Sequence, residues 1–322
     1  MHEKMKKIIL VGFVFVLSCG ITHTCLAVSP GTTGATFLKI GPGARAVGMG
    51  EVFVAIADDA TALFWNPAGI VQISRPQIVF MHSLWFQGVN YDYLAYVQSL
   101  PGPGNEKFGV SATFLHSGDM VRTTEDASGN YTGAAGIFVT TDLALGLSYA
   151  WEVSRKHSLG ASLKLIRSTI DDAVGYGLCV DFGYLLRLIP DLSIGLNLQN
   201  GLVSMPIRFY RELESISASN SLPVNFKAGI AYKYMEGRLL LGLDVNFPID
   251  SVVNYHAGAE YKFTDNLSLR AGYKTDLIQD IDLLSGLCTG VGYKFSSYEL
   301  DYAFVPYGNL GVTHRISLLM KF

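Results

Sequence analysis

From residue 76 to residue 322 the chain repeats one unit: a segment of about ten residues in which apolar and polar side chains alternate, followed by a turn. Side chains alternate across a strand, so each segment reads as a strand with one apolar face. GLCTGVGYKF is the clearest. There Leu287, Thr289, Val291, Tyr293 and Phe295 take one side, and Gly286, Cys288, Gly290, Gly292 and Lys294 the other. NLSLRAGYK likewise sets Leu267, Leu269, Ala271 and Tyr273 against Ser268, Arg270, Gly272 and Lys274. About fourteen such segments are expected, at 76–86, 90–99, 106–116, 137–151, 157–169, 173–187, 191–200, 222–235, 237–247, 252–263, 266–275, 286–296, 298–305 and 312–322. Strands of this length suit a tilted membrane crossing.

Composition narrows the sheet type. Hydrophobic residues make up 49% of the chain and charged residues 16%, against a usual charged share of about 25%. Beyond the N-terminus no run of about 20 apolar residues could span a bilayer as a helix. That leaves a very buried soluble sheet or a membrane β-barrel. The net charge of −3 gives no case for a nucleic-acid partner.

Two patterns favour the barrel. Links after even-numbered segments are short, around 101–105, 152–156, 189–190, 235–236, 264–265 and 297, whereas 117–136, 201–221 and 275–285 are long. Outer-membrane barrels have short periplasmic turns, longer outer loops and an even strand count. The second pattern is aromatic. On the apolar parity the even segments close with Tyr149 and Trp151, Phe182 and Tyr184, Tyr232 and Tyr234, Tyr261 and Phe263, Tyr293 and Phe295, and finally Phe322. Such rings favour a bilayer interface, and a sandwich core has no reason to repeat them at one strand end. Charges on the other parity, of both signs, then face the lumen: Lys164, Asp181, Lys227, Lys233, Asp244, Glu260, Lys262, Arg270, Lys274, Lys294, Glu299, Asp301, Arg315 and Lys321. They read as a self-neutralising interior network, or as a lining that selects a charged solute.

Residues 1–27 read as a signal peptide: Lys4, Lys6 and Lys7, then apolar Ile8 to Leu17, then Cys25-Leu26-Ala27 before the cut. A lipoprotein-type cut before Cys19 is the alternative. Cys179 and Cys288 remain, either as small interior residues or as a disulfide. Residues 28–75 lack the repeat. They are expected to form a plug inside a barrel of residues 76–322. Asp58 or Asp59 can cap a short helix from Ala60 to Trp65, which Pro67 ends. Gly41-Pro42-Gly43-Ala44-Arg45-Ala46 matches a dinucleotide fingerprint in letters, but the βαβ unit it requires is missing. No metal spacing or nucleophile motif occurs, so no enzyme activity, catalytic residue, metal or cofactor is expected.

Within 28–75, Gly43-Ala44-Arg45-Ala46, Gly48-Met49-Gly50, Ala57-Asp58-Asp59-Ala60 and Phe64-Trp65-Asn66-Pro67-Ala68-Gly69 resemble the start of the PorV/PorQ family of outer-membrane proteins. More distantly, the Asp-Asp-Ala and Asn-Pro-Ala-Gly parts resemble FadL-type transporters. The resemblance implies an all-β fold, a 14-stranded antiparallel transmembrane barrel with an N-terminal plug. Gly43, Arg45, Gly48, Gly50, Asp58, Asp59, Trp65, Asn66, Pro67 and Ala68 carry the plug motif. It also implies a location in the outer membrane, among outer-membrane lipids, and the terminal Phe322 resembles a signal read by barrel-assembly machinery. For function it implies a protein-binding component of a type IX-like secretion system, with secreted proteins as partners. The alternative is a FadL-like transporter of a hydrophobic small molecule, and a purely structural barrel is a third reading. Met205, Ile207, Phe209 and Tyr210 in the 201–221 loop could line an entrance, touch a partner or fold over the mouth.

Overall fold

The computed structural model describes residues 31–102, 104–211, 214–276 and 283–322. The expected signal peptide, with Cys19 and Cys25, lies outside the described residues. Strands in chain order are β1 Gln77–Leu84, β2 Asn90–Ser99, β3 Glu106–His116, β4 Met120–Glu125, β5 Tyr131–Phe138, β6 Thr140–Glu152, β7 His157–Ile170, β8 Ala173–Ile189 and β9 Leu192–Arg211. They continue as β10 Glu214–Asn220, β11 Asn225–Tyr234, β12 Leu239–Pro248, β13 Asn254–Lys262, β14 Leu267–Lys274, β15 Leu287–Phe295, β16 Tyr298–Pro306 and β17 Val312–Lys321.

Fifteen of these share one sheet, and β10 hydrogen-bonds only to β9 in it. The other fourteen form a closed antiparallel barrel: β8 pairs β9 and β17 pairs β1, with Gln77 opposite Lys321. Closure leaves no bare sheet edge, the condition for a sheet to exist in lipid. β4 and β5 form a separate hairpin. Each wall strand turns one parity outward: Leu269, Val291, Tyr293, Phe295, Leu300 and Ile316 are exposed, while Arg270, Cys288, Asp301, Arg315 and Ser317 are buried. Tyr149, Phe182, Tyr234, Tyr261, Phe263 and Phe322 are also exposed, as an outer band requires. Cys179 and Cys288 are free, buried thiols on β8 and β15.

Two expected boundaries moved. The 201–221 loop begins as strand, because β8 is long enough to pair Val174 with Tyr210 and Val180 with Val203. Residues 117–136 were expected to be a loop; instead they belong largely to the β4–β5 hairpin, which takes Ile137 and Phe138 from the next wall strand.

Candidate functional site: the occupied lumen

Residues 31–75 run through the barrel from its long-loop end to its short-turn end. At the long-loop end, Gly34 N–H donates to the Ser221 carbonyl at 2.8 Å, and Thr33 and Lys39 both bind Asp250. At the other end Asn105 donates to the Val71 carbonyl at 3.1 Å, and Phe322 N–H donates to Pro76. Between them Met49, Phe53, Leu63, Trp65 and Ile70 are 0–1% exposed. Each such side chain contributes about 1.5–3 kcal/mol, so apolar packing of order 10 kcal/mol holds the segment more firmly than its ion pairs do.

The wall is shaped for that segment. Gly258 and Gly272 face inward where Met49 and Gly50 pass; a Cβ on Gly272 would sit 2.1 Å from Gly50 N, and one on Gly258 2.2 Å from the Met49 oxygen. Gly50 itself has φ +68°, a conformation that favours glycine. Gly43, at φ +88°, donates its N–H to Met81 Sδ at 2.9 Å, and Gly48 packs on Gly290. Asp244 Oδ2 accepts from Phe53 N and Val54 N at 2.9 and 3.0 Å. From β9, Asn197 and Gln199 donate to the Trp65 and Phe64 carbonyls, each at 2.7 Å. Trp65 Nε1 donates to the Pro42 carbonyl at 2.9 Å.

The motif helix is shorter than expected, Ala62–Trp65, and Thr61 is its N-cap residue. Asp59 Oδ1 accepts from Thr61 N and Oγ1, while Asp58 turns to Arg45 at 2.6 Å. Asn66 leaves the helix with extended backbone and caps the next turn, Pro67–Gln72, by accepting from Ala68 N–H. Its amide donates to the Val54 and Tyr184 carbonyls, tying two parts of the segment to β8. Pro67 and Ala68 lie against Gly160 and Gly183 of the wall.

Arg45 is the electrostatic hub. It bridges Asp58, Asp59 at 3.2 Å and both oxygens of Glu260 at 2.8 and 3.0 Å. Glu260 also accepts from Arg270 Nε at 2.7 Å, and Arg270 reaches Asp301 and Glu299. Lys321 completes the chain to Glu299 at 3.6 Å. Burial pushes the Asp59 carboxyl up, and Arg45 only partly offsets it. Burial would also raise Glu51, but Lys274 at 2.8 Å, with Arg315, holds it down to about 2. Lys233, Lys262 and Lys294 are exposed rather than enclosed, unlike the other expected lumenal cations on these strands.

Two features were not legible as sites. A polar cavity of about 170 Å3 lies on the long-loop side, where Lys39, Glu51, Lys227, Asn246, Asp250 and His256 meet. The second is a break in the wall. Pairing between β9 and β11 stops at Gln199 opposite Asn225, and β9 bulges between Leu198 and Val203. Asn200, at φ 56°, anchors the bulge: its N–H donates to Asp181 and its amide to the Pro223 carbonyl. Beyond it Leu202, Val203 and Met205 are 57%, 49% and 56% exposed. Just inside, Phe37 and Leu38 pack with Ile166, Ile207 and Leu222. The consecutive apolar pair Leu202–Val203 was the available signal, since it breaks strict alternation.

A wall of this kind around a threaded N-terminal segment defines a class: β-barrels with the fold of outer-membrane channels. The sequence model of an uncharacterised protein family, UPF0164, matches residues 27–175. No curated protein matches the chain in sequence. Among solved structures, the monoaromatic hydrocarbon channel CymD is 17% identical, with TM-score 0.57 over 88% of this chain and 98% of that one. The toluene transporter TbuX of Ralstonia pickettii is 13% identical, with TM-score 0.59 and the same shares. A FadL homologue from Pseudomonas aeruginosa, 13% identical, matches with TM-score 0.55 over 92% of this chain and 99% of its own. At such identities the likeness is one of fold. The first of these is described as a channel and the second as a transporter.

Proposed function

We propose that the protein is an outer-membrane passage for small hydrophobic molecules, seen closed, with residues 28–75 as its plug. The observation that carries this reading is the break between β9 and β11, whose outward side chains are apolar and whose inner floor is the Phe37–Leu38 cluster. A hydrophobic molecule in the lumen gains by leaving sideways into lipid, where its apolar surface stays out of water. The likeness in fold to CymD and TbuX supports this reading more than the secretion role implied by the motif. Gly201 and Val224 flank the break, a Cβ on the glycine lying 2.8 Å from Val224 Cγ1. The double variant G201C/V224C is expected to take up toluene when reduced and to lose most uptake when oxidised. Absence of hydrocarbon uptake by the unmodified protein in reconstituted vesicles would sink the reading.

A protein-binding role, as in type IX-like secretion, has one observation of its own. The β4–β5 hairpin displays Val121, Tyr131 and Ile137 at 61%, 70% and 63% exposure, an apolar surface on an extended loop. Under that reading, trimming residues 119–138 abolishes co-purification of exported proteins while the barrel still assembles. Unchanged partners after trimming would remove this role.

A further inference from the structure

The cavity on the long-loop side is polar, unlike the apolar cluster beneath the break in the wall. Its floor is Lys227 of β11, only 7% exposed, with Nζ 4.8 Å from the Trp65 ring and 5.8 Å from that of Phe64. Lys39 and Lys274 each pair with a carboxylate. Among the described residues no carboxylate comes within 4.0 Å of the Lys227 ammonium. Beside it, Asn246 donates to Asn254 Oδ1 at 2.7 Å and to His256 Nε2 at 3.1 Å. The second contact leaves the imidazole proton on Nδ1, and that atom has no partner among the described residues. The floor therefore holds two donors, an ammonium and a ring N–H.

Asn246 Oδ1, level with Lys227, and Asn225 Oδ1 and Asp250 Oδ1, nearer the rim, are buried acceptors that lack partners among the described residues. Asn225 and Asp250 belong to the long-loop end of the wall, and Asp276 adds a second carboxylate there. Leu38, Pro223, Val224 and Pro248 supply apolar walls. Buried polar atoms are rarely left unpaired, so a cavity that gathers several is built around something that pairs with them.

We propose that this cavity binds a small zwitterion of the amino-acid or dipeptide class, its carboxylate on Lys227 and His256 and its ammonium toward Asn225 and Asp250. The polarity runs one way: cationic donor at the floor, acceptors above. An anion alone would leave the Asn225 and Asp250 acceptors unpaired. A cation alone would face Lys227. A zwitterion of matching orientation satisfies both ends, and the apolar walls take its side chain. The cavity adjoins the break and shares Leu38, Asn200 and Val224 with it, but its polar floor on β11, β12 and β13 does not depend on hydrocarbon passage.

The test uses the full-length protein in detergent, with saturation-transfer NMR and calorimetry. The probes are L-leucine, glycyl-L-leucine, 4-methylvalerate, isoamylamine and glucose. One or both zwitterions are expected to bind, with the acid, the amine and glucose weaker by about tenfold or more, the worth of one charge-assisted hydrogen bond. K227Q and D250N should each weaken zwitterion binding by a similar factor. S251W, placed on the cavity lining without removing a buried charge, should abolish it, and covers the case in which K227Q fails to fold. Equal binding of 4-methylvalerate, preference for glucose, or no saturation transfer from any probe overturns the assignment; the last outcome leaves a cavity filled by water alone.

Discussion

At the scale of single residues, the lumen is organised by a few side chains that join the threaded segment to the wall. Glu51 is the one whose titration tests the arrangement. Its folded pKa, about 2, lies below the ordinary 4.5, so its stabilisation is complete above about pH 4.5 and is lost as pH falls through about 2. The unfolding midpoint in urea should therefore fall more steeply between those pH values for the native chain than for E51Q. Equal slopes would mean that the Glu51–Lys274 pair contributes nothing. Part of this residue-level detail was readable beforehand. Arg45, Asp58 and Asp59 were singled out by motif, and Glu260 and Arg270 by their inward parity. That all of them join one network was not readable, because Arg45 and Glu260 are separated by 215 positions and only barrel register brings them together.

Among elements, the wall strands do two jobs with one alternation. Outward positions carry large apolar side chains for lipid, and inward positions alternate charge with glycine where the backbone of residues 31–75 must pass. Valine at Gly272 should therefore leave β14 intact yet displace the Met49–Gly50 passage, since the added Cβ meets backbone at 2.1 Å rather than a movable side chain. Trypsin digestion of the folded barrel would report it: new cleavage near Arg45 is expected in G272V, and an unchanged pattern would show that the segment can shift to make room. The strands themselves were legible because lipid on one side and a packed lumen on the other enforce strict period two. β9 was cut short at residue 200 because Leu202–Val203 and Pro206 spoil that period, and its extension is dictated by pairing with β8. The cavity was illegible for a related reason. Its asparagines, 200, 225, 246 and 254, sit singly on successive wall elements and form no local motif.

For the whole molecule, fourteen strands form a cylinder whose bore is taken up by residues 31–75. Removing residues 28–75 should raise single-channel conductance in planar bilayers, provided that heat-modifiable migration on gels shows a folded barrel. Unchanged conductance in a folded barrel would mean that the segment does not limit flow. The route of that segment has one more consequence. An even number of strands returns Gln77 and Lys321 to the same rim, yet Gly31 is reached only after crossing the bore to the opposite one. Two labels, one at Gly31 and one at Lys321, would thus report from opposite mouths of the barrel. A reagent confined to one mouth would reach one label and not the other.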